Sequence, residues 1–164
     1  MKYILIGKIV NTHGLKGEVR ILSSFKYKNK VFIPNMKIYI GKDKIPEEIN
    51  TYRHHKIFEM ITMKNYNDIN QILKYKGEYL FVNKEDIKLE KNEYLDEDII
   101  GLNVYTDNKL LGIVKKIEDH NSNIILLVKN DSKTYLIPYN FDIITNINLE
   151  TKEMHVNNIP GLFD

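Results

Sequence analysis

Short runs rich in Ile, Val, Tyr and Phe recur about every ten residues along this sequence, and Gly, Asn, Asp or Pro ends most of them. A chain punctuated in that way has room for strands and little else, which favours small barrels or sandwiches over helical or βαβ architectures. Residues 3–11 are almost continuously apolar and residues 18–21 alternate, so with the Gly-bearing stretch 12–17 between them they predict a β-hairpin with a longer loop. Residues 36–40, 56–63 and 79–82 predict further strands, with turn-prone sequence around 41–44 and at Pro46. One short helix is expected, because Ile69, Ile72 and Leu73 are spaced i, i+3, i+4 after the N-cap-like Asn67-Asp68 and before Gly77.

Residues 83–98 are charged and nearly lack consecutive apolar positions, the pattern of a connection between compact units. Beyond it, residues 102–106 and 109–117 flank Asp107-Asn108, a two-residue hairpin signal, and residues 124–129 and 133–138 flank a second turn at 130–132. Residues 143–149 and 153–156 complete the series. The expected fold class is therefore all-β, two small β units in tandem, with domains at 1–84 and 98–164 and an acidic linker at 85–97.

At 164 residues with 43% hydrophobic and 28% charged, the chain can bury two modest cores, so disorder is excluded. With no Cys there is no disulfide framework, thiolate nucleophile or Cys-ligated zinc. The apolar start is broken by Lys8 with no small-residue cleavage site after it, and residues 124–128 form the longest aliphatic run, far below the ~20 needed to span a bilayer. A cytoplasmic location without membrane association is expected.

The net charge of +2 conceals an asymmetry. Residues 1–42 carry nine Lys or Arg against the single acid Glu18, whereas both later stretches are net acidic. A basic front of that density suits phosphate contacts, and a solvated Lys-rich surface would read the same way.

Catalytic signatures are missing: no GxxxxGK[ST], GxSxG, HExxH or GxGxxG occurs. His54 and His55, adjacent in an expected strand, point to opposite faces and suit no common metal, while His13, His120 and His155 stand singly. Asn130-Asp131-Ser132 reads as a turn. Tyr94 and Leu95 sit in the acidic stretch with no apolar periodicity of their own, so an exposed pair able to anchor a partner is expected there. Lys16 and Arg20 share strand parity and would project from one face if pairing ran through Gly17, with Glu18 between them. Gly14 and Gly17 read as turn-shaping.

The stretch Gly7-Lys8-Ile9-Val10-Asn11-Thr12-His13-Gly14-Leu15-Lys16-Gly17-Glu18-Val19-Arg20 resembles the first hairpin of the RimM family of ribosome maturation factors, G-x-I-x-x-x-H-G-x-(R/K)-G-E-(V/L)-(R/K). Asp98-Ile99-Ile100-Gly101-Leu102-Asn103-Val104, Leu111-Gly112-Ile113-Val114 and Leu136-Ile137-Pro138 are similar, in order, to the opening, middle and later motifs of that family's PRC barrel, and Pro160-Gly161-Leu162-Phe163-Asp164 to its closing segment. The resemblance implies a translation-factor-like six-stranded barrel with one short helix, followed by a PRC barrel. It also implies a monomeric, non-catalytic factor without cofactor or metal. Such a factor binds the immature small ribosomal subunit through ribosomal protein nineteen of the head and adjacent rRNA, and assists 16S rRNA processing and head assembly. Carried over residue by residue, it places the protein contact at Tyr94, Leu95, Asp96 and Asp98, where Leu95 and Asp96 depart from the family's tandem aromatics. The charge asymmetry, rather than the resemblance, suggests His13, Lys16 and Arg20 of the basic front for the rRNA contact. Two readings of the residues from other classes are a hydrolase or transferase acting on RNA, and a PRC-barrel adaptor unconnected with ribosomes.

Overall fold

A computed structural model describes residues 1–163. The chain divides into two compact units, Met1–Leu89 and Glu90–Asp164, and the division falls inside the acidic stretch 85–97. The closing Asp164 of the sequence motif lies outside the described residues.

In the first unit six strands close into a barrel: β1 (Tyr3–His13), β2 (Glu18–Leu22), β3 (Lys37–Ile40), β4 (Ile45–His55), β5 (Phe58–Met63) and β6 (Tyr79–Asn83). The order around the barrel is β1-β2-β5-β4-β3-β6, every neighbouring pair is antiparallel, and β6 returns to β1. Alternation supplies the core, since Val19, Ile21, Ile38, Ile40, Ile61, Met63, Leu80 and Val82 are all buried with one intervening residue in each strand. β1 must pair on both sides and bend, and it does so through register shifts between Leu5 and Gly7 against β6 and between Ile9 and Asn11 against β2. Gly7 permits the bend because a Cβ there would stand 2.8 Å from the Leu22 carbonyl oxygen.

The sequence expectation missed β4. Pro46 read as part of a turn and only the far end, at His54 and His55, as strand, yet Tyr39 pairs with Pro46 and the strand runs unbroken to His55. With so little of its sequence apolar, β4 buries only Ile49 outright, and its partners β3 and β5 hold it in place. The expected helix is α2 (Ile69–Ile72) with a capping box, in which Asp68 accepts from the Asn70 amide at 2.8 Å and Gln71 reaches back. A 3₁₀ turn, Leu73–Tyr75, extends it toward Gly77. The unit also holds a helical turn that the sequence reading did not anticipate, α1 (Lys28–Val31).

The second unit opens with α3 (Asp96–Ile99) and holds β7 (Asn103–Thr106), β8 (Lys109–His120), β9 (Asn123–Lys129), β10 (Thr134–Pro138), β11 (Ile144–Asn148) and β12 (Glu153–Val156). These form one sheet ordered β10-β9-β8-β7-β12-β11, antiparallel except for β12 beside β7. Asp107 and Asn108 take φ of 48° and 63°, the two positive values that a tight hairpin needs, so the sequence signal and the backbone agree. Ile99, Leu102, Val104, Val114, Leu126, Val128, Ile137, Ile144, Met154 and Val156 belong to its core. Asn130 forms the expected turn, its side-chain oxygen accepting from the amides of Ser132 and Lys133.

Candidate nucleic-acid interface

On the outer side of the arc β1–β2–β5–β4, strand register sets a row of basic and aromatic side chains. Arg20 pairs with Met60 and Met60 with Arg53, so two arginines flank a methionine that is fully buried although it is on the outer face. The Arg20 guanidinium stands 5.5 Å from the centre of the Phe58 ring and donates to His13 Nδ1 at 2.7 Å. An arginine has no acceptor, so His13 carries no proton on Nδ1 in this arrangement. The His13 ring lies 6.2 Å from that of His55, and burial together with Arg53, Lys56, His13 and Arg20 holds the His55 imidazole below its ordinary pKa.

Arg53 donates to both Glu18 oxygens, at 2.9 and 2.7 Å, and this fork lowers the Glu18 carboxyl against an opposing effect of partial burial. Glu18 is therefore committed within the barrel to a residue 35 positions away. The parity expected for Lys16 and Arg20 does not hold: pairing stops at His13 with Glu18, and Lys16 lies in the turn between β1 and β2, exposed like Leu15 before it. The turn conformation ends strand alternation before it can set the direction of Lys16. A shallow cleft at this end is lined by His13, Leu15, Lys16, Glu18, Arg53 and Thr62.

His13 and Arg20 are thus brought together, with Lys16 at the adjoining tip. Arg53, His55 and Phe58 were missed, because they enter only through β4 and its hairpin to β5. His54 and His55 diverge as strand neighbours do: His54 bonds the buried Glu59 at 2.9 Å, and His55 faces His13.

The second expected group lies at α3, and there the exposed pair is corrected. Leu95 is only 5% exposed, and Tyr94 is half-buried, packed on the second unit's core with its ring stacked 6.3 Å from Phe141. The local sequence lacks apolar periodicity, and for Tyr94 the packing neighbour Phe141 comes from elsewhere in the chain. Asp96 and Glu97 are exposed on the first turn and Asp98 is half-buried, so the accessible face here is acidic.

Residues 4–87 match the RimM N-terminal domain, and residues 96–162 match the RimM PRC barrel domain. The chain belongs to the RimM family. Its relatives include "Ribosome maturation factor RimM" of Staphylococcus haemolyticus, 38% identical over 97% of this chain and 98% of that protein. The RimM protein of an Exiguobacterium species is 36% identical over 100% of this chain and 98% of its own length. That of Bacillus cereus is 33% identical over 98% of each. The two RimM domains coincide with the two sheets, and the His13–Arg20 contact lies within the first. Among the described residues, no helix is long and apolar enough to cross a membrane.

Proposed function

We propose that this chain acts in ribosome maturation as a non-catalytic, monomeric, cytoplasmic factor that binds the immature small ribosomal subunit and assists 16S rRNA processing and assembly of the head. Full-length membership of the RimM family carries the reading. The geometry adds a division of labour. His13, Lys16 and Arg20 on the first barrel meet rRNA phosphate: Lys16 is exposed, and Arg20 is held by a neutral imidazole rather than by a carboxylate, so its charge is not cancelled. The acidic face at Asp96 and Asp98, next in sequence to the buried Leu95 and half-buried Tyr94, meets a basic protein, ribosomal protein nineteen of the head. Binding that prefers one arrangement of head rRNA and protein raises the occupancy of that arrangement without chemistry.

Sucrose-gradient co-sedimentation with immature and mature small subunits tests the reading. Selective association with immature particles, weakened by Lys16→Ala with Arg20→Ala and, separately, by Asp96→Lys with Asp98→Lys, is the expected result. Equal binding to both particles, or to neither, would sink it.

A further inference from the structure

On a different arc of the first barrel several outward positions of β1 and β6 are apolar where a solvated sheet would be polar. Tyr3 is 37%, Tyr79 50% and Leu5 51% exposed, and Phe81, paired with Leu5, is half-buried between them. Two lysines lie over these rings. Lys8 Nζ is 5.3 Å from the Tyr79 centroid, and Lys44 Nζ is 4.2 Å from that of Phe81 and 5.6 Å from that of Tyr3. β1, β3 and β6, the three strands of this arc, carry no Asp or Glu, and Asp43 and Glu78 stand at the strand ends.

Two exposed tyrosine rings and a half-buried phenylalanine at sheet spacing, with Lys8 beside one and Lys44 shared by the other two, complement a ligand made of flat bases on an anionic backbone. A protein partner with an apolar surface would explain the rings and leave the lysines over them unexplained. We infer that the β1–β6–β3 face of the first barrel binds single-stranded RNA, with bases stacked on Tyr3, Tyr79 and Phe81 and phosphates held by Lys8 and Lys44. An exposed cation–π contact is weaker than base stacking, so each lysine gives up its ring to a base and turns to the phosphate beside it. The inference rests on the maturation reading only for the source of the RNA. The face is separate from the His13–Arg20 row.

The test is fluorescence anisotropy of the full chain with a labelled short oligouridylate and with an RNA duplex of equal length. Single strand is expected to bind more tightly than duplex. Tyr3→Ala with Tyr79→Ala, both exposed and so tolerated by the fold, should weaken it roughly tenfold or more with the salt slope unchanged. Lys8→Ala with Lys44→Ala should flatten the slope by about 1.4, two contacts at roughly 0.7 each. Duplex bound as tightly as single strand, or a tyrosine variant that binds as well as the parent, would overturn the inference. So would a variant that keeps its RNA affinity while losing the small subunit, which would assign the face to a protein. If the oligonucleotide arm fails while the parent still co-sediments selectively with immature subunits, this inference falls and the maturation reading stands.

Discussion

His13 Nδ1 accepts a hydrogen bond from the Arg20 guanidinium at 2.7 Å across the first hairpin. Because the donor is the arginine, the contact fixes the tautomer: the ring proton sits on Nε2. Nitrogen-15 NMR at pH 8 should find that tautomer, and Arg20→Ala should release it to a mixture. An Nδ1–H tautomer in the parent protein would contradict the geometry.

Glu18 gives a pH dependence of defined sign. Its folded pKa lies below the ordinary value of 4.5, chiefly through the Arg53 hydrogen bonds, so its contribution is complete above 4.5 and is lost as pH falls through the folded value. Arg53 is half exposed, so the contribution is small, about 0.5 kcal/mol. Denaturant unfolding of the parent and of Glu18→Gln should differ by about that amount at pH 7 and converge as the pH falls below 4.5 and the carboxyl takes up its proton.

Inside the first barrel the buried Glu59 accepts from the Tyr52 hydroxyl at 2.7 Å. Burial first, and this carboxylate second, push the Tyr52 phenol up to about 12. In Glu59→Gln the burial remains and the charge goes, so Tyr52 should titrate lower than in the parent yet above 10, as followed by carbon-13 NMR of its ring.

Gly112, in the Leu-Gly-Ile-Val motif, has φ of 157°, and a Cβ there would lie 2.4 Å from the Lys129 carbonyl oxygen. Backbone cannot yield as a flexible side chain can, so Gly112→Ala should cost about 2 kcal/mol or more in thermal or denaturant unfolding. The motif thus marks a close approach of β8 to the end of β9.

Leu95→Ala should act on stability, by about 2 kcal/mol or more, because the side chain is buried. Asp96→Asn, at an exposed position, should leave stability within about 0.5 kcal/mol. A circular-dichroism melt of both separates a binding defect at this turn from a folding defect.

Much of the fold was legible because strands of period two and glycine-bearing turns are local signals. The first hairpin, the Asp107-Asn108 turn and the Asp68 cap each depend on residues within a few positions. β4 was not legible, since a polar segment containing Pro46 becomes a strand only when β3 and β5 flank it. The candidate interface divided the same way. His13, Lys16 and Arg20 stood out within one motif. The Arg53–Glu18 fork, the Phe58 ring under Arg20 and the row of Tyr3, Phe81 and Tyr79 join residues up to 78 positions apart. Local sequence determined the strands and turns of this protein, because turn and strand preferences act through neighbouring residues. Tertiary structure alone decided which side chains share a face and which of the expected contacts are buried, because closing a barrel sets register between strands that no local preference connects.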